Sequence, residues 1–287
     1  MRKLRIGTRK SQLSRKQTDM AIDALKQAHP ELDVEIVPFQ TRGDIILDKP
    51  LWELSNKGKG VFASEFEEMI RRDEIDIAIH SGKDLPVFLA EGLQIIGVLK
   101  RDDPRDVLVM PKGRRVEDVK SIGTGSLRRQ QCAEELFPWA ECRLIRGNIH
   151  TRLQKLMNGC FDAIILAKAG LDRMGITEED GYTFRILSPE EFLPAACQGI
   201  VVAEGKPEWA DFVGGMTDEH TKYIFETERE VLMQLNADCS EPAAAFAELE
   251  GENIRLRAVY GKQKAEGTAP IAERLQLAAE VARGLKG

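Results

Sequence analysis

Apolar residues recur along the first eighty positions in two alternating rhythms. Leu4 and Ile6 stand two apart, as a short strand requires, and Ala21, Leu25 and Ala28 then fall on one helical face. Val34 and Ile36 alternate again, and Phe62, Phe66, Met69 and Ile70 return at the i, i+4, i+7, i+8 spacing of a second helix. The run Ile75, Ile77, Ile79 closes the unit as another strand. Strand and helix signals in alternation predict a mostly parallel sheet with crossover helices. His80-Ser81-Gly82-Lys83-Asp84 follows the last strand directly, which puts these polar groups at the carboxyl end of a sheet, where open α/β sheets bind ligands.

The charged, proline-containing stretch Arg101 to Arg105 marks a crossover into a second unit. Its expected strands are 106–110, 121–123, 143–145 and 162–167. Helices are expected to start near Ser126 and Asn148, because Ile149, Leu153, Leu156 and Met157 repeat the helical spacing and Asn148 is a suitable N-cap. Leu193-Pro-Ala-Ala-Cys-Gln-Gly199 reads as a second crossover, back toward the first unit. Beyond it the pattern predicts a long helix from Asp218 to Leu235, a turn over 236–242, a strand with Ile254, Leu256, Ala258 and Tyr260, and an Ala/Leu-rich helix over 271–285. The division expected is therefore 1–99 with 197–217 as one discontinuous α/β domain, 102–194 as a second, and 218–287 as a small α+β third.

The chain has 287 residues and a net charge of -6, which disfavours a general nucleic-acid binder because counterion release needs a basic footprint. No run approaches the roughly 20 apolar residues of a membrane span, and the first ten residues carry no signal-peptide apolar block, so the cytoplasm is the expected compartment and no membrane partner is expected. Five cysteines without a Cys-x-x-Cys pair, and four scattered histidines, match no zinc spacing, so no metal is expected. Charge is uneven, however. From Arg101 to Arg173 fourteen Lys and Arg stand against ten Asp and Glu, a local +4 that suits a small polyanion.

Gly123-Thr-Gly-Ser-Leu-Arg-Arg129 places small residues at a strand-to-helix turn and two arginines in the first helical turn. Free N–H groups and the helix dipole make such a turn an anion site, and guanidinium groups add bidentate reach for carboxylates. Taken alone it reads more readily as a Gly-containing turn followed by a solvated basic helix face. Arg146-Gly-Asn-Ile-His-Thr-Arg152 repeats the design, as do Arg9 and Ser11 after the first strand, and three such turns together suggest a cleft lined with carboxylate forks. Asp84 beside Lys83 could move a proton or simply cap a helix. Cys239 lies in a turn, where a buried inert thiol is the ordinary alternative to a functional one.

Thr8-Arg9-Lys10-Ser11, Thr41-Arg42-Gly43-Asp44, Lys59-Gly60-Val61-Phe62, His80 to Asp84, Arg101 to Asp106, Gly123 to Arg129, Arg146-Gly-Asn148, Thr151-Arg152-Leu153, Asp162 to Ala167, Ala169-Gly-Leu171 and Leu193-Pro-Ala195 together resemble the porphobilinogen deaminase family, in its order and spacing, from about residue 4 to residue 200. The resemblance implies an α/β fold with two type II periplasmic-binding-protein-like domains around a cleft, plus a small α+β third domain. It implies a transferase that polymerises four porphobilinogen molecules to hydroxymethylbilane on a covalent dipyrromethane cofactor, held by a thioether to Cys239. By the same resemblance Asp84 is the catalytic carboxylate. Arg9, Ser11, Lys83, Thr124, Ser126, Arg128, Arg129, Arg146, Arg152 and Arg173 bind acetate and propionate groups of cofactor and substrate. Ser81, Lys59, Phe62 and Gln198 are further cleft candidates, and a monomer is expected.

The chain departs from that pattern at several places. Gly82 replaces the family's usual Met, Gly125 a second Ser, and Ala196-Cys-Gln-Gly199 the usual Val-Gly-Gln-Gly. The attachment loop reads Ala237-Asp-Cys-Ser-Glu-Pro242 where Gly-Gly-Cys-Gln-Val-Pro is usual, and its added carboxylates should raise the thiol pKa. The competing reading is a non-catalytic small-anion binding module of the same two-domain architecture.

Overall fold

The structure, a computed structural model, describes residues 3–41, 63–237 and 241–286. β1 (Leu4–Arg9) leads into α1 (Gln12–Ala28), which begins at Ser11 because the Ser11 side chain accepts from the Ser14 amide and satisfies a free N–H of the first turn. β2 (Val34–Phe39), α2 (Ser64–Arg71), β3 (Ile77–Ser81) and β4 (Gln94–Val98) follow. Past the first crossover come β5 (Asp106–Pro111), β6 (Ser121–Thr124), α3 (Leu127–Leu136), β7 (Glu141–Leu144), α4 (Ile149–Met157), β8 (Ala163–Ala167), α5 (Lys168–Arg173) and β9 (Tyr182–Leu187). The chain returns as β10 (Val201–Gly205) and α6 (Ala210–Gly214), then adds α7 (Glu219–Leu235), β11 (Ala243–Glu250), β12 (Asn253–Tyr260), β13 (Gln263–Pro270) and α8 (Arg274–Leu285).

The first two sheets share one plan. Their strand orders are β2-β1-β3-β10-β4 and β7-β6-β8-β5-β9, with β1 parallel to β2 and β3, and β6 parallel to β7 and β8. Each sheet then accepts one antiparallel strand, β10 in the first and β5 in the second, so the sheets are mixed. Both antiparallel strands directly follow a crossover, and strand direction after a crossover is set by where the chain arrives rather than by its local pattern. The third sheet, β11-β12-β13, is antiparallel throughout.

Expected helix starts at Ser126, Asn148 and Asp218 are N-caps in the structure, each accepting a backbone N–H three residues on. Other expectations shift. Phe62 lies outside the described residues and α2 is described from Ser64; Ile36 of the edge strand β2 is exposed; and the strand expected at 143–145 is β7, two residues earlier. Residues 271–273 form a 3₁₀ turn before α8.

Buried apolar residues of α7, α8, β11 and β12, among them Val231, Leu256 and Val281, join one cluster with Val98, Val202 and Cys197 of the first sheet and second crossover. The third sheet is thereby packed onto the first. The two crossovers touch at Gly199, whose φ of +86° and whose position 2.5 Å from the Asp102 oxygen, measured to a Cβ it lacks, leave room only for glycine. Asp102 N donates to Gly199 O at 3.1 Å across this contact.

One buried ion pair locks the junction. Arg101 of the first crossover donates to Glu228 of α7 at 2.7 Å and through Nε to the Gln198 carbonyl at 2.9 Å. Glu228 also accepts from Cys197 N at 2.5 Å and Ala247 N at 2.8 Å, so one fully buried carboxylate serves both crossovers and the third sheet. Glu228→Ala should therefore lower the unfolding free energy by about 3–5 kcal/mol, the cost of stranding a buried arginine and two amides. Urea unfolding of the variant against the parent checks this, with Glu228→Gln expected to lose less.

Candidate active site

The carboxyl ends of β1, β3, β6 and β7, the second crossover, and the C-terminal half of α7 border a cavity of about 620 Å³. α1, α3 and α4 start at this cavity, capped by Ser11, Ser126 and Asn148, so three helix N-termini approach it together. Gln17 Nε2 donates to Ser81 Oγ at 2.8 Å, tying α1 to the end of β3.

The lining is strongly cationic. Arg9, Lys10, Lys83, Arg128, Arg129, Arg146, Arg152, Arg173 and Arg229 face two carboxylates, Asp84 and Glu241. Burial lowers the pKa of Arg129, Arg146 and Arg173. Arg152 falls to about 10, through burial and then the neighbouring Arg129 and Arg146, and Lys83 falls to about 8, through burial and then Arg129. Cations that depress one another in a partly dry cleft make a receptor for a small polyanion, since each incoming carboxylate relieves repulsion as well as forming charge-assisted hydrogen bonds.

Arg128 and Arg129 also have a task inside the protein. Both hold Asp106, the first residue of β5, with Nη2 contacts of 2.7 Å each. Arg128 further donates to Leu193 O at 2.7 Å and Arg129 to Ile165 O at 3.1 Å. The two arginines expected as free carboxylate forks are thus partly committed to a buried partner, although the Arg128 Nε has no hydrogen-bond partner among the described residues. Burial alone would raise Asp106, but Arg128, Arg129 and Lys83 outweigh it and keep the carboxyl well below the usual carboxylate range.

Gln198 joins the halves of the cleft. Its Oε1 accepts from Lys83 Nζ at 3.0 Å and its Nε2 donates to Asp106 at 3.0 Å and Pro104 O at 2.7 Å. Arg173 holds Asp102 at 2.8 Å and Gly199 O at 2.6 Å, and Arg152 Nε donates to Gly147 O at 2.8 Å. Asp84 sits in the turn 82–84 after β3, and its carboxylate has no hydrogen-bond or ion-pair partner among the described residues.

Of the expected site residues, the cavity gathers Arg9, Ser11, Ser81, Lys83, Asp84, Ser126, Arg128, Arg129, Arg146, Arg152, Arg173 and Gln198. Thr124 is not among its lining residues; its Oγ1 accepts from Ser126 N at 3.2 Å and shapes the turn from behind. Lys59, Phe62 and Cys239 lie outside the described residues, though Ala237 and Glu241, on either side of Cys239, line the cavity. Sequence reasoning overlooked Asp106 and Arg229. Arg229 lies on α7 and donates to Pro86 O at 3.0 Å and Val87 O at 2.8 Å, which fastens the segment after Asp84.

Residues 4–211 match the family described as "porphobilinogen deaminase, dipyromethane cofactor binding domain". The chain belongs to the porphobilinogen deaminase family. Proteins named porphobilinogen deaminase from Acetivibrio thermocellus and Alkaliphilus oremlandii are 39% and 40% identical to it over 260 residues, covering 90% of this chain and 87% and 86% of theirs. One from Streptococcus sanguinis is 39% identical over 270 residues, 92% of this chain and 88% of that protein. Among solved structures, an ancestral cationic amino acid solute binding protein superposes with a TM-score of 0.45 at 14% identity, covering 79% of this chain and 94% of that one. The fold is the expected class, two α/β sheets of one plan around a cleft with a small α+β addition. The family's dipyrromethane carries carboxylates on each ring, and the crowded arginines and Lys83 around the cavity suit such a group.

In cofactor-free protein, affinity for an added pyrrole dicarboxylate should fall as pH rises through about 8, because Lys83 then loses the charge that burial already disfavours. The fall should approach roughly tenfold per pH unit above that value if the ammonium is required. Lys83→Arg, which stays protonated, should flatten the profile, and calorimetric titration of cofactor-free protein at pH 6.5 and pH 9 checks this.

Proposed function

We propose that this chain is a working transferase that condenses four porphobilinogen molecules, with loss of ammonia, into hydroxymethylbilane. The observation that carries the reading is the carboxylate of Asp84, which lines a cavity ringed by nine cationic side chains, feels the charges of Lys83, Arg129 and Arg152, and accepts no hydrogen bond from a side chain among the described residues. A carboxylate left open among cations that could neutralise it is available to a ligand.

Porphobilinogen brings two carboxylates and an aminomethyl group. Arg9, Ser11, Arg146, Arg152 and Arg173 bind the acetate and propionate arms, and the helix N-termini behind Ser11 and Ser126 add backbone donors. Arg128 and Arg129, anchored on Asp106, add fixed positive charge at the floor of the cleft. Departure of ammonia leaves a cationic methylene-pyrrole, and Asp84 stabilises that charge through the pyrrole N–H. The free α-carbon of the growing chain bonds to that methylene carbon, and Asp84 takes up the α-proton that the attacking ring sheds as it regains aromaticity. A dipyrromethane joined to Cys239 would supply the free α-carbon from which the chain starts. After four additions water releases the linear product.

The domain division proposed is 1–99 with 197–217, 102–194 and 218–287. Thr124 acts through the turn it shapes, and Ser81, Lys59, Phe62 and Gln198 serve as auxiliary cleft residues. No helix of the described residues is long and apolar enough to cross a membrane. The proposed setting is a cytoplasmic monomer acting on a small molecule, without nucleic acid. A non-catalytic anion-binding role is disfavoured, because a pure binding site gains nothing from an open carboxylate beside a polycarboxylate ligand.

Two measurements test this. Protein made where porphobilinogen is available should, after denaturation, weigh one dipyrromethane more than its sequence, and Cys239→Ala should return to the bare mass and lose activity. A parent protein at the bare mass would favour the binding-module reading. Asp84→Asn should keep the added mass while turnover falls about a hundredfold or more. Parent-like turnover in that variant would leave Asp84 with only a structural part.

A further inference from the structure

Gly82 and Cys197 meet where the second crossover passes the turn that carries Lys83 and Asp84. Cys197 is 1% exposed and has φ +60°, a left-handed conformation that residues with a Cβ seldom adopt. A glycine would take that conformation at lower cost, so the cysteine side chain stands there against the preference of its own backbone. On the other side of the contact the situation is reversed. A Cβ added at Gly82 would lie 3.0 Å from Cys197 Cβ, 3.3 Å from Cys197 O and 3.3 Å from Phe225 Cε2. The space a side chain at 82 would need is occupied from across the gap.

Both backbones are pinned. Gly82 N donates to Ile200 O at 2.8 Å, Ile200 N to Cys197 O at 3.3 Å, and Cys197 N to Glu228 at 2.5 Å. The thiol points to Phe225 O at 3.8 Å, and burial, with Glu228 nearby, pushes its pKa upward, so it fills space as a neutral group. The next residue, Gln198, bonds both Lys83 and Asp106. The turn at Cys197 therefore touches the catalytic turn directly through Gly82 and again through Lys83.

We propose that Cys197 is a positioning residue, whose side chain, seated in the space beside Gly82, sets how far the turn bearing Lys83 and Asp84 stands into the cleft. The proposal rests on the reading of Asp84 as the catalytic carboxylate. It makes residues 82 and 197 one unit, in which the volume present at one position excludes volume at the other.

Cys197→Gly, Gly82→Ala and the double variant test it on the holoenzyme, with melting temperature, intact mass, kcat and KM measured for each. Cys197→Gly relieves the backbone, so its melting temperature should hold or rise while kcat falls about fivefold and KM changes less than about twofold. A rate that falls while stability does not is the signature of positioning rather than of packing alone. Gly82→Ala should lose about tenfold or more in kcat, and adding Cys197→Gly should bring the rate back to within about threefold of the parent. Parent-like kcat in Cys197→Gly, or simply multiplying losses in the double variant, would overturn the proposal. Should Gly82→Ala fail to fold, Cys197→Ser decides. Nearly the same size, it should keep kcat within about twofold, and a loss as large as that of Cys197→Gly would overturn the role of side-chain volume. Failure of the Asp84 reading would show separately, as parent-like turnover in Asp84→Asn, whatever the coupling between 82 and 197.

Discussion

The carboxylate of Glu228, withdrawn from water and shared among Arg101, the Cys197 amide and the Ala247 amide, is the contact on which the rest of the arrangement depends. Burial makes each of those partners costly to release, because a charge or amide left alone in a dry interior loses far more than a surface pair gains. The two crossovers and the third sheet consequently hold a common register. Everything at the back of the cleft follows from it: Gly199 lies against Asp102, Gln198 reaches forward from between Cys197 and Gly199, and Arg173 grips both Asp102 and the Gly199 carbonyl.

At the front of the cleft the balance is opposite. Positive groups are concentrated there, and burial, reinforced by their mutual repulsion, lowers the pKa of Lys83 and Arg152. Asp106 answers Arg128 and Arg129 from beneath the cavity, where it orients both, and Asp102 answers Arg173. A polycarboxylate ligand supplies the remaining negative charge, so ligand binding and the stability of this region are one thermodynamic quantity seen from two sides.

Local chemistry was legible in the sequence wherever a few neighbouring residues decide the outcome. The caps at Ser126, Asn148 and Asp218 are of this kind, as is the placement of Lys83 and Asp84 at a strand end. Strand β13 was not legible, because Gln-Lys-Ala-Glu-Gly-Thr-Ala-Pro holds almost no apolar alternation and is ordered by pairing with β12. The part played by Asp106 was hidden for a related reason: its partners stand 22 and 23 residues away, and nothing local tells a buried clamp from a solvated strand start. Glu228 did leave a trace. It falls in helical phase with Phe225, Val231 and Leu235, a charged residue on an otherwise apolar face, and such a residue calls for a buried partner. Cys239 was singled out by family pattern alone and lies outside the described residues.

The edge strand β2 has a bearing on how the protein behaves in a crowded solution. The Phe39 carbonyl accepts from Lys10 N on the β1 side, so the residue before it, Pro38, directs its ring nitrogen outward from the sheet. At that position an ordinary residue would offer a free N–H to any passing strand, and Ile36, exposed on the same strand, would offer it apolar surface. Proline withholds the donor without costing the sheet an internal bond. A second chain seeking to extend the sheet meets a gap in the hydrogen-bond ladder two residues from the exposed Ile36, and such a gap makes the edge a poorer template for pairing.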